Sequence, residues 1–223
     1  MTPATLILLG SPLLASGSWA GLPDALEGGE PALDVLDVPV LDDETPPFGQ
    51  RYLTSVVLAL AVTRPVGPLV LVAHSGAGPL LPGVGRAVRD AAHRVGGYVF
   101  VDAGLPGSGL VNRLDLLRME DANREAALHA LLDADGRFPD WTLSGVVTRP
   151  RARAFFEEHL PTSDDWPDAP CGYLRASTAY AAAARSARAR GWPVVERETD
   201  HHLPWLADPA GVAADLRQLM DLM

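Results

Sequence analysis

With 223 residues, 48% of them apolar, the chain is long enough to bury a sizeable core and too apolar for disorder. A net charge of −10 argues against nucleic acid or an anionic membrane as partner, and because all 18 basic residues are arginine, lysine-based covalent chemistry is excluded. The single cysteine, Cys171, excludes an intrachain disulfide framework and fits a cytoplasmic location.

Apolar runs of strand length alternate with helix-like stretches, the pattern of a mostly parallel sheet flanked by helices in one α/β domain over residues 1–223. The first run, Leu6-Ile7-Leu8-Leu9, has no Lys or Arg before it and is interrupted by Gly10-Ser11-Pro12, so it reads as a buried strand over 5–9 rather than a signal peptide. A second strand is expected over 34–40. Tyr52, Val56, Val57 and Leu60 then recur at helical spacing in a helix over 50–63.

The third strand, 69–73, leads into Ala73-His74-Ser75-Gly76-Ala77, a serine between small residues. A strand turning sharply into a helix needs small neighbours, because bulkier ones collide across the turn. Such an elbow lifts the serine oxygen above the end of the sheet and aims the Gly76 amide at the same space. Ser75 is therefore the candidate nucleophile.

A helix over 79–95 and a strand over 98–102 follow. The stretch 104–168 breaks the rhythm, with helices expected over 112–134 and 150–159. It is expected to form a small helical lid over the carboxyl ends of the strands, its aromatic residues either shaping an apolar pocket or packing the excursion onto the sheet. Strands over 171–175 and 193–197 alternate with helices over 178–190 and 209–222, the first ending in arginines and Gly191. No run approaches the ~20 apolar residues of a membrane span.

An activated serine needs a general base, and histidine suits the task near neutral pH. Of six histidines, the pair His201-His202 lies in the loop after the last strand, at the carboxyl edge where a side chain reaches the elbow. The pair lacks a third ligand at metal-site spacing, so neither a metal nor another cofactor is expected.

The chain resembles the α/β-hydrolase superfamily over nearly its whole length. Leu6-Ile7-Leu8-Leu9-Gly10-Ser11 followed by Trp19 is similar to the family's first strand, oxyanion turn and downstream tryptophan, and Leu33-Asp34-Val35-Leu36-Asp37-Val38-Pro39 to its next strand. His202-Leu203-Pro204-Trp205-Leu206-Ala207-Asp208-Pro209 resembles the closing segment, in which the catalytic histidine precedes a proline by seven residues, and this register selects His202. Where the family has His-Gly, this chain has Leu9-Gly10. Pro12 has no N–H, so the oxyanion donors implied are the amides of Ser11 and Gly76, with Leu13 as alternative.

The second departure is the acid. The family commonly carries it just after the strand matching 171–175, yet no Asp or Glu occurs from Ala169 to Val195. Asp102, ending the strand before, stands at the alternative acid position of some lipases in the superfamily; Asp200 and Glu198 are fallbacks, and Asp102 also reads as a turn cap. Leu13, His74, Leu105, Trp141 and Phe155 are the expected substrate contacts. The resemblance implies a serine hydrolase of esters, lactones or thioesters of small to medium apolar molecules. A lyase or cyclase using the same Ser/His site is the alternative reaction, and a non-catalytic receptor for small molecules a third reading.

Overall fold

The computed structural model of the chain describes residues 4–29, 32–40, 44–139, 146–197 and 199–223. Its centre is a six-stranded, all-parallel sheet of β1 (Thr5–Leu9), β2 (Asp34–Val38), β3 (Leu69–His74), β4 (Val95–Val101), β5 (Cys171–Arg175) and β6 (Val194–Glu196) in the order β2-β1-β3-β4-β5-β6. All six expected strands are present, within three residues at each end.

Although the central strands β1 and β3 read as continuous apolar runs, side chains of the sheet alternate between two cores, as the two-residue period requires. Ile7, Leu9, Leu71, Ala73, Tyr98, Phe100 and Tyr173 face α2 (Phe48–Thr63), α3 (Leu81–Asp90) and α7 (Ala181–Ala189). Leu6, Leu8, Val70, Val72, Val99, Val101 and Leu174 face α1 (Leu22–Glu27) and α8 (Pro209–Leu222). The chain leaves β1 for β2 on one side and returns to β3 on the other. Strand order therefore reverses between β1 and β3, and a crevice opens beyond their carboxyl ends.

Between β4 and β5 lie α4 (Arg113–Glu120), α5 (Ala122–Asp133) and α6 (Arg153–Glu157). The single helix expected over 112–134 is two, because Asp121 adopts an extended backbone and its carboxylate caps α5 by accepting from the Asn123 and Arg124 amides. Leu114, Leu128, Leu132, Phe155 and Phe156 give this segment its own small core. Trp166 instead packs against Tyr98, Phe100 and Trp192 of the main core. The segment is tied down by Glu158, whose carboxylate accepts from the Phe48 and Gly49 amides at 2.7 and 2.6 Å, at the positive end of α2. A further tie is the antiparallel bridge Leu14–Thr148. The short helix α1, entered through Gly21 at φ 80°, was not expected from periodicity, since six residues are too few to display one. Among the described residues no helix is long and apolar enough to cross a membrane.

Candidate active site

Strand register gathers the site. Leu9 pairs with Ala73, His74 with Val101 and Val101 with Leu174, so Ser11, Ser75, Asp102 and the residues after Arg175 all emerge at one edge of the sheet. His74 is still extended, and Ser75 turns at φ +54° into the 3-10 turn Ser75–Leu80. A left-handed serine is strained by about 1 kcal/mol or more, a cost that persists only where the surroundings impose it. Here they do: Ala73 and Ala77 are buried, and a Cβ on Gly78 would lie 2.3 Å from the Gly104 carbonyl oxygen and 2.8 Å from Ala103 Cβ. Gly78 is thus the tightest small position of the elbow.

Gly76 lies beside the β1 turn, where its missing Cβ would stand 3.2 Å from Ser11 Oγ. Ser11 is fully buried. Its hydroxyl accepts from the Leu13 amide at 3.3 Å, which engages the alternative donor within the turn. Tyr52 donates to the Gly10 carbonyl at 2.8 Å, and the buried Arg151 donates to the Pro12 carbonyl at 3.2 and 3.3 Å. The turn is therefore braced from two sides.

Asp102, wholly buried, leaves β4 at φ +39°. Its Oδ1 accepts from the Ala176 and Ser177 amides at 2.7 and 3.1 Å, and its Oδ2 lies 3.3 Å from His202 Nδ1. Ala176 and Ser177 occupy the place after β5 where no acid was found. Their backbone donors orient the aspartate of the neighbouring strand. A carboxylate can only accept, so in this contact His202 Nδ1 donates. His202 is 22% exposed, whereas His201 is exposed. The Asp200 carboxylate is engaged by the amide and hydroxyl of Thr178 at 2.9 and 2.8 Å. Glu198 lies outside the described residues.

Tyr180 joins the site although no motif or spacing marks it in the chain. Its ring stacks on His202, centroids 5.0 Å apart and 7° from parallel, and its hydroxyl is 3.3 Å from Ser75 Oγ. Burial pushes the phenol up to about 12.

A cleft of about 410 Å³ opens at Ser75 and His202 and is walled by Ser11, Leu13, Phe138 and Tyr180. A second lobe of about 150 Å³ extends from Ser75 and Gly76 past Pro79, Leu117 and Phe156. Ser75 therefore stands where two lobes meet. Leu13 lines both, and Arg124 lies at both.

Of the other expected substrate contacts, three are corrected. His74 is fully buried between Trp19, Trp205 and His202, because a side chain one residue before the elbow still obeys the strand alternation and points into the α1/α8 core. Phe155 sits under the Arg113 guanidinium at 4.0 Å, and its neighbour Phe156 reaches the lobe instead. Leu105 lies along a separate groove with Pro106 and Arg190. Trp141 lies outside the described residues. Burial pushes the Cys171 thiol up to about 12, which leaves it an unreactive core group. Among the described residues no group of three or more His, Cys, Asp or Glu could hold a metal ion.

No family model matches the chain, and no curated protein matches it in sequence. Solved structures do. An extracellular α/β-hydrolase from a Paenibacillus species, described as sharing structural and functional homology with tobacco salicylic acid binding protein 2, superimposes with a TM-score of 0.70 over 97% of this chain and 99% of its own, at 18% identity. The chain has the α/β-hydrolase fold. A pyrethroid hydrolase from Sphingobium faniae shares this α/β-hydrolase architecture with a TM-score of 0.65 at 17% identity, covering 98% of both chains. The NocB thioesterase domain, solved as a covalent complex with a fluorophosphonate nocardicin G analogue, gives 0.55 at 18% identity over 98% of this chain and 95% of that domain. Within this fold the serine turn follows β3 and the histidine loop follows β6, at the carboxyl edge of the sheet.

Proposed function

We propose that the protein is a serine hydrolase that cleaves a carboxylic ester, lactone or thioester of a small to medium apolar molecule through an acyl-enzyme. The observation that carries this reading is the left-handed Ser75 at the junction of two lobes, in one cleft with a histidine whose Nδ1 faces a buried aspartate. Ser75 Oγ attacks the carbonyl carbon while His202 Nε2 takes its proton. The amides of Ser11 and Gly76 receive the oxyanion, and Asp102 holds the imidazole orientation and stabilises the imidazolium. His202 then protonates the leaving alcohol or thiol. In the second half it deprotonates water, which releases the acid. The lobe past Leu117 and Phe156 suits an apolar acyl chain, and the wider cleft suits the leaving group. The 104–168 segment acts as the lid of this pocket.

The test is covalent trapping. A fluorophosphonate probe is expected to add its mass to the peptide carrying Ser75, to label Ser75→Ala not at all, and to label His202→Ala far more slowly. Turnover of p-nitrophenyl butyrate by Ser75→Ala at the wild-type rate would refute the reading.

A further inference from the structure

The acyl-transfer scheme leaves one polar contact of the nucleophile unused. Tyr180 lies in the turn after β5, on the histidine side of Ser75, whereas Ser11 follows β1 on the other side. Its hydroxyl is 3.3 Å from Ser75 Oγ, while its ring lies flat on His202. The phenol keeps its proton at neutral pH, and once Ser75 Oγ carries an acyl group and has no hydrogen, the phenol is the donor of the pair. A serine oxygen bonded to carbon accepts two hydrogen bonds, one from the imidazolium and one from a second donor.

We propose that Tyr180 is a catalytic residue of deacylation, donating a hydrogen bond to Ser75 Oγ as that oxygen leaves the acyl carbon. This rests on the acyl-enzyme reading above. Water adds to the acyl carbon as its proton passes to His202 Nε2. The Oγ–carbon bond then breaks, its electron pair goes to Oγ, and Oγ takes the proton from His202. Tyr180 transfers no proton; it stabilises the negative charge growing on Oγ between bond breaking and protonation. In acylation the Tyr180 hydroxyl already contacts the free serine hydroxyl, a better acceptor than the ester oxygen of the acyl-enzyme, so less is gained on reaching the transition state. The two half-reactions therefore respond differently to its loss.

The experiment uses p-nitrophenyl butyrate as acyl donor. Acylation is followed by stopped-flow release of nitrophenol, and deacylation by mass spectrometry of the butyryl enzyme after the ester is removed. One neutral hydrogen bond lost from the leaving oxygen slows deacylation about tenfold. Tyr180→Phe, which keeps the stacked ring, is expected to show that slowing with acylation changed less than threefold. Tyr180→Leu, which removes the stack as well, is expected to slow both steps. Deacylation of Tyr180→Phe slowed less than threefold, or acylation slowed as much as deacylation, would overturn the proposal and leave the ring a mere support for His202. Absence of any butyryl group on wild-type Ser75 during turnover would overturn the acyl-enzyme reading itself.

Discussion

Replacing Asp102 by asparagine separates its role in catalysis from its role in folding. Asparagine keeps an oxygen for the Ala176 and Ser177 amides, which now donate at 2.7 and 3.1 Å, and it tolerates the left-handed φ of +39°. What it loses is the acceptor 3.3 Å from His202 Nδ1. An amide NH₂ in that place donates, so Nδ1 must accept and the proton moves to Nε2, where it blocks removal of the serine proton. A wrong tautomer of this kind costs roughly 10³–10⁴ in kcat, or about 4–5.5 kcal/mol of transition-state stabilisation. Stability changes much less. Two charge-assisted bonds become neutral, a loss of about 1–2 kcal/mol, partly offset because a buried charge is removed. Asp102→Ala leaves two buried N–H groups unpaired and is expected to lower the melting temperature clearly further than Asp102→Asn, with the same loss of activity. The assay is kcat for p-nitrophenyl butyrate beside thermal unfolding of both variants. Asp102→Asn within tenfold of wild-type kcat would show that this aspartate is a turn-capping residue and not the acid of the site.

Two other substitutions probe the elbow and its neighbour. Ser75→Gly relieves a left-handed residue that has a Cβ, and is expected to abolish turnover while raising stability by about 1 kcal/mol, a rise of ~2–4 °C in melting temperature; an unchanged or lower value counts against a strained elbow. Burial first, and then the adjacent His202, hold the His74 imidazole well below its ordinary value. The unfolded chain takes up this proton near pH 6.5 while the folded one resists, so the protein is expected to lose stability as pH falls below about 6.5. His74→Gln, which retains a donor but does not titrate, is expected to flatten that slope between pH 7 and 5 in thermal scans. An unaltered slope would remove His74 as its source.

The centre of the sheet was legible because a strand buried on both faces must be a short apolar run, as β1 and β3 are, whereas the partly buried margins β2 and β6 carry charged residues. The elbow was legible because close approach across a turn leaves only small residues possible. Asp102 came into view through the resemblance, as the superfamily's alternative acid position, once no acid stood after the run at 171–175. The lining of the pocket was less so. Leu105 and Phe155 are apolar residues in the right segment, but which neighbour faces the cleft depends on the rotation of short helices, and Phe156 rather than Phe155 reaches the lobe. Tyr180 carries no pattern at all. Its position beside Ser75 is set by the length of the turn between β5 and α7, a distance in space that periodicity does not encode.

His74 has one more consequence. Its Nε2 donates to the main-chain carbonyl of His202 at 3.0 Å. The base arrives on a loop after β6, a three-residue strand at the sheet margin. Margins fray first, because such short strands bury little and expose much of their backbone to water. Through His74, however, the loop is moored to the central strand one peptide bond before the nucleophile. The serine turn and the histidine loop thus share one anchorage on the central strand β3.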